Sequence, residues 1–156
     1  IGGGQFTSFL DDAPIDQELV VRSTQVHALM PMMQFSVAPW RILDERHFIA
    51  VLDAVNLRNK FKETILKLAK KASTTGEPIV RSMEYVYPHM GYVDITDQFM
   101  LGNSILVAPY LSKGEGSRKV ILPKGSWKSD TGKVFKGGKS ITVNVPLTRL
   151  PYFIKE

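Results

Sequence analysis

The sequence contains no cysteine, which excludes a disulfide framework and any thiolate metal site. Its three histidines, His27, His47 and His89, have no partner four residues away, which argues against a metal centre built on a helix face. No Gly-x-Ser-x-Gly elbow is present, so the nucleophile of an α/β-hydrolase is not on offer. No uninterrupted apolar run approaches the roughly 18 residues needed to cross a bilayer. The longest candidates break at Pro31, Pro109 or Pro151. A charged start leading into an apolar stretch is also missing, so no signal peptide is read, and Ile1 followed by Gly2, Gly3 and Gly4 reads as the start of a fragment. Those glycines lack a following Gly-Lys-Ser/Thr, and Gly114-Glu115-Gly116 completes no dinucleotide fingerprint, so both are poor phosphate sites.

What is present is 156 residues with 44% hydrophobic composition, enough for one domain or for two small layers that share an interface. The formal net charge is +5. One lysine cluster spans Lys60 to Lys71, and a further set, from Lys113 to Lys139, is scattered through a turn-rich region. That distribution reads as a solvated surface, with no nucleic acid and no membrane as partner.

Asp16 is an N-cap for a helix over about 17–30, stopped by Pro31. Leu19, Val20, Ser23, Val26, His27 and Met30 recur at three- and four-residue spacing, so this face is expected inside and Arg22 outside. Asp44 caps a second helix that runs, straight or kinked near Leu57, to Lys70 and Lys71 before Gly76 and Pro78. The β-branched and aromatic run Ile79 to Tyr87 reads as a strand ended by Pro88. From about Asp97 the pattern changes to short strands separated by Gly/Pro turns, as in Pro123-Lys124-Gly125 and Asp130-Thr131-Gly132. Such spacing argues for an antiparallel sandwich, with a boundary between about residues 88 and 104.

Candidate carboxylates are Asp11, Asp12, Asp16 and Glu18 near the glycines, and Asp94 and Asp97 at the boundary; caps and loop solvation account for most of them. Phe35, Trp40, Tyr85 and Tyr87 could stack on a sugar ring, although a single aromatic is more often core. The residues alone support a helical segment feeding a small β-domain.

A series of short segments carries more. Ile1-Gly2-Gly3-Gly4, Gln17-Glu18-Leu19-Val20-Val21-Arg22, Met30-Pro31-Met32-Met33 and Ala38-Pro39-Trp40 come first. Thr75-Gly76-Glu77-Pro78, Asp97-Gln98-Phe99-Met100-Leu101-Gly102, Leu106-Val107-Ala108-Pro109, Leu122-Pro123-Lys124-Gly125-Ser126-Trp127 and Pro146-Leu147-Thr148-Arg149-Leu150-Pro151 follow. In this order they resemble the C-terminal part of the α-glycosidases of glycoside hydrolase family 31, over nearly the whole chain.

The resemblance implies a fold class: the C-terminal segment of an α/β barrel, helices plus a strand, followed by an all-β antiparallel sandwich. Residues 1–90 would be the end of a TIM-like barrel and 91–156 the proximal sandwich. It implies a retaining, exo-acting glycosidase with no cofactor and no metal, whose two catalytic aspartates lie upstream, so that no catalytic residue falls in this chain and the chain alone is inactive. The implied partners are an α-linked glycoside and the rest of the barrel, or another chain completing it. Where α-glucosidases of the family carry an arginine and, two residues on, a sugar-binding histidine, this chain has Gln34 and Ser36, with Phe35 between them. Gly2 and Gly3 stand where a bulkier residue often borders the pocket. Gly2, Gly3, Gln34, Phe35 and Ser36 are therefore the candidate substrate-binding residues; these departures count against plain α-glucosidase specificity and leave α-galactosidase, α-xylosidase or an N-acetylated or sulfonated sugar open. The alternative is a non-catalytic carbohydrate-binding or scaffold module presenting Trp127 and Tyr152.

Overall fold

The computed structural model describes residues 1–2 and 15–156, so Gly3, Asp11 and Asp12 lie outside the described residues. Helix α1 spans Gln17–Ala28, and the Asp16 carboxylate caps it by accepting from the Leu19 N–H at 3.1 Å. Its far end is closed by a cation. The Arg58 guanidinium donates to the carbonyl of Ala28 (3.2 Å), one that a helix C-terminus leaves unpaired, and to those of Met30 (2.6 Å) and Pro31 (2.9 Å) in the turn beyond.

The inward face of α1 differs from the expected one. Val20, Val21, Arg22, Thr24, Gln25 and Ala28 are buried, whereas Leu19 is 56% exposed. Leu19, Ser23, Val26 and His27 instead line an open cleft of about 310 Å³ facing Leu111 and Lys113. Apolar spacing pointed to the wrong face because the polar residues on the buried one are satisfied by partners distant in sequence.

Helix α2 is a single helix over Glu45–Thr75. Asp44 accepts from the His47 N–H (2.9 Å) at its start, and Gly76 ends it at φ 74°, a left-handed conformation that glycine adopts without cost. The expected strand over residues 79–87 is reduced to β1, Val80–Arg81. Ser82 then caps a one-turn helix, α3 (Met83–Val86), by accepting from the Tyr85 N–H at 3.1 Å, so cap chemistry overrides β-propensity here.

The remaining strands are β2 (Phe99–Leu101), β3 (Ile105–Val107), β4 (Gly116–Leu122), β5 (Ser126–Ser129), β6 (Val134–Lys136), β7 (Lys139–Val145) and β8 (Tyr152–Lys155). Six form an antiparallel sheet in the order β1-β2-β3-β8-β5-β6, and β4 pairs with β7 in a second sheet. The described architecture is thus helices followed by antiparallel sheets, as expected for the β-part.

The centre of the large sheet, at β2, β3 and the start of β8, is buried on both faces. On one, Leu101, Ile105, Val107 and Tyr152 pack with Ala54, Phe61 and Ile65 of α2, the Phe61 and Tyr152 rings meeting edge to face at 5.2 Å. On the other, Met100, Leu106, Trp127 and Phe153 pack against Val120, Leu122, Val143 and Val145 of β4 and β7. Strands covered on both sides read as continuous apolar runs, which is why Phe99-Met100-Leu101 and Ile105-Leu106-Val107 show no alternation. Each fully buried side chain of this size contributes about 1.5–3 kcal/mol.

Trp127 and Tyr152 are therefore core residues, 0% and 7% exposed, and neither is available to present to a sugar. The Trp127 indole N–H donates to the Pro123 carbonyl at 2.7 Å.

Candidate functional site

The candidate residues near both ends of the α1 excursion come together. The Ile1 amino group donates to the Gln34 carbonyl (2.7 Å), and the Ser36 N–H donates to the Ile1 carbonyl (3.0 Å). One residue bonded to the two positions flanking a single neighbour, here Phe35, is the hydrogen-bond pattern of parallel chains; an antiparallel pair would exchange both bonds with one residue. Parallel neighbours need a long crossover, usually helical, and α1 is that crossover.

Gly2 continues beside this pair at φ 83°, and a Cβ on it would lie 4.0 Å from the Val37 Cβ. The side chains of residues 34–36 alternate. Phe35 packs against the cluster of Val21, Ala50, Val51 and Leu147, while Gln34 and Ser36 are exposed. Extended chain sends successive side chains to opposite sides, so burying Phe35 against the helices turns Gln34 and Ser36 the other way. Trp40, on the 3₁₀ turn Pro39–Arg41, is 71% exposed.

Two polar anchors hold this segment, and neither was anticipated. Arg58 fixes the turn that leads into it, as described above. Arg22, at 5% exposure, fixes the other side. Its guanidinium donates to Glu18 (3.3 Å), Gln25 (3.2 Å), the Gly114 carbonyl (3.2 Å) and the Pro146 carbonyl (3.4 Å), and lies over the Tyr110 ring at 5.0 Å. Gln25 donates to the Leu147 carbonyl at 2.6 Å, and Leu147 belongs to the cluster under Phe35. Of this clamp, the sequence displays only the Glu18/Arg22 spacing of four residues.

The carboxylates considered as acids or bases have structural duties. Asp16 pairs with Lys113 at 2.9 Å, and that ammonium, together with the Leu19 N–H, holds its carboxyl below the usual range. Glu18 accepts from the Gly114 N–H at 3.0 Å. Asp97 pairs with Arg118 (2.9 Å), whose own pKa burial pushes down while Asp97 opposes the shift. Among the described residues no group of three or more His, Asp and Glu is placed to hold a metal ion. No described helix is long and apolar enough to cross a membrane.

The model of the glycosyl hydrolase family 31 C-terminal domain matches residues 76–156, a little over half of the chain. The chain belongs to glycosyl hydrolase family 31. Its family 31 relatives include the myogenesis-regulating glycosidase of Mus musculus, 36% identical over 141 residues, which cover 88% of this chain and 20% of the mouse protein. An α-glucosidase of Saccharolobus solfataricus is 32% identical over 165 residues, covering 100% of this chain and 23% of the relative. Among solved structures, a family 31 α-xylosidase from a soil metagenome, complexed with xylose, superposes with a TM-score of 0.81 at 28% identity. That match covers 90% of this chain and 25% of the xylosidase chain. The chain thus spans about a fifth to a quarter of the length of these family 31 proteins.

Proposed function

We propose that residues 1–156 belong to a retaining, exo-acting α-glycosidase whose catalytic carboxylates lie upstream of Ile1. In this reading residues 1–90 are the end of a TIM-like β/α barrel, and 91–156 are the proximal sandwich, to which β1 lends an edge strand. The observation that carries the proposal is the parallel bracket of Ile1 around Phe35 with α1 as the crossover, which is how consecutive strands of a β/α barrel pair. The exposed apolar residues Leu19, Ile49, Leu52 and Leu66 on the helices are surfaces that the rest of a barrel would cover.

Gln34 and Ser36, on the side opposite Phe35, supply neutral hydrogen-bonding groups at the sugar subsite, with Gly2 and Gly3 allowing close approach of the ligand. Phe35 contributes by packing, which sets the direction of its two neighbours. An upstream carboxylate attacks the anomeric carbon while its partner acid protonates the leaving oxygen; water then releases the covalent intermediate. No step is assigned to a residue of this chain.

The test is hydrolysis of a panel of chromogenic α-glycosides by the polypeptide extended upstream through the barrel. Gln34→Ala and Ser36→Ala should each lower kcat/KM on the best substrate by about twofold to tenfold, the loss of a neutral hydrogen bond worth roughly 0.5–1.5 kcal/mol. Unchanged kcat/KM in both variants removes the subsite assignment. Absence of hydrolysis across the panel, or activity from residues 1–156 alone, removes the functional one.

A further inference from the structure

Two of the lysines that are scattered along the sequence, Lys124 and Lys136, are brought together by the fold. Residues 116–156 hold Arg118, Lys119, Lys124, Lys128, Lys133, Lys136, Lys139, Arg149 and Lys155 against only Asp130 and Glu156. Asp130 is taken by Arg149 at 2.7 Å, and Arg118 is paired with Asp97. This leaves an excess of lysine, of which Lys124 stands on the β4–β5 turn while Lys136 and Lys139 flank the β6–β7 turn that meets it.

The turns are stitched together by the Gly137 N–H, which donates to the Gly125 carbonyl (2.7 Å), and the Gly138 N–H, which donates to the Leu122 carbonyl (2.8 Å). Register brings in the rest. Ser126 is opposite Lys136, Lys128 is opposite Val134, and Trp127 is opposite Lys155. Lys139 opens β7 directly after Gly138.

Between the turns lies a cleft of about 680 Å³, lined by Lys124, Lys136, Ser126, Val134 and the backbone of the glycines. That volume is within the range of small-molecule and ligand pockets. Lysine on an edge strand guards against edge-to-edge pairing, which accounts for Lys136 and for Lys133 beside it. It does not account for Lys124, on the β4–β5 turn, or Lys128, on β5, which is paired on both sides, whereas Lys139 opens an edge strand of the two-stranded sheet and the Lys155 ammonium lies over the Tyr87 ring at 5.2 Å. Among the described residues, no carboxylate is ion-paired with any of these lysines. Glu156 is the one acid at the cleft, where it accepts from the Ser126 hydroxyl at 2.9 Å.

We infer that this cleft and its lysine rim form a binding surface for an acidic polysaccharide, separate from the Gln34/Ser36 segment. Ammonium groups at the rim of an open cleft suit a chain that carries sulfate or carboxylate groups. Single-stranded nucleic acid would need stacking platforms. The strongly exposed aromatics, Trp40 and Tyr85, lie outside the set lining the cleft. A flat bilayer surface does not enter a cleft.

The experiment is titration of the 156-residue chain with heparin, neutral dextran, a DNA duplex and vesicles containing phosphatidylserine, at 50 and 200 mM salt. Heparin should bind, more weakly at the higher salt, and dextran should not. K124E/K136E should weaken heparin binding at least tenfold, with K124Q/K136Q as a milder second variant. K60E/K67E, an equal change of charge on α2, should leave it within about threefold. Thermal melts confirm that each variant folds. Failure to bind heparin, equal losses in the two Glu pairs, or binding of DNA or vesicles as tight as heparin would each overturn the assignment.

Discussion

Replacing Arg22 by Met should destabilise the chain by about 3 kcal/mol. Methionine keeps much of the apolar stem and removes the guanidinium, which makes bonds of 3.2–3.4 Å to two side chains and two carbonyls at 5% exposure. Removing one partner of a buried ion pair costs about 3–5 kcal/mol, because the other is left behind without water. Here the low end applies. The bonds are long, and Glu18 keeps the Gly114 N–H and some solvent, its side chain being 16% exposed. For a chain of this size the loss corresponds to a drop of about 6–12 °C in Tm. Arg22→Lys retains the charge without the planar fork and should lose about half as much. Urea denaturation followed by circular dichroism and by tryptophan fluorescence measures both, with buried Trp127 reporting on the sandwich. If R22M stayed within about 0.5 kcal/mol of the parent, or if R22K matched R22M, the clamp would not be what joins α1 to the 114 and 146–147 loops.

Gly137→Ala would place a Cβ 1.8 Å from the Pro123 carbonyl oxygen and 2.9 Å from the Trp127 indole nitrogen, so backbone must move and the indole bond is lost. A loss of about 3 kcal/mol is expected by chemical denaturation. Gly132→Ala, in open space at φ 83°, should lose only about 1 kcal/mol, and equal losses would refute the steric account. Acid should destabilise the helix starts. The Asp44 carboxyl is held below its usual range, first by the His47 N–H and then by the His47 ring. A lowered folded pKa means stability present above the unfolded value and lost as pH falls through the folded one. Urea midpoints should therefore decline below about pH 4. Asp44→Asn, which still caps but does not titrate, should make that decline shallower, and an unchanged decline would contradict this reading.

The elements legible in the sequence are those decided by neighbours in the chain. Asp16, Asp44 and Gly76 mark helix ends because a cap acts over three or four residues, and the Asp130-Thr131-Gly132 turn is local in the same way. The face of α1 was illegible because Arg22 and Gln25 look like surface residues until loops about a hundred positions away supply their partners. Ser82 shows a different failure: its cap on the Tyr85 N–H cut short a strand that propensity favoured. At the candidate site, the Gln34, Phe35, Ser36 triplet was singled out by resemblance. Its alternation, with Phe35 toward the helices, depends on Leu147 and could be seen only in the folded chain. The lysine surface was missed because the meeting of the β4–β5 and β6–β7 turns, not spacing, makes neighbours of Lys124 and Lys136.

The order β1-β2-β3-β8-β5-β6 has a consequence for how the protein is made. Strand β8, Tyr152–Lys155, is the most C-terminal of the strands, yet it lies at the middle of the large sheet, bonded to β3 on one side and to β5 on the other. A nascent chain that has not yet reached Tyr152 holds two half-sheets with nothing to join them, and both hydrophobic layers lack a central member, Tyr152 for one and Phe153 for the other. At about 5–20 residues per second, the interval between synthesis of Trp127 and of Phe153 is on the order of seconds. During that time the indole that ends up fully enclosed has no lid, and closure of the large sheet waits for β8.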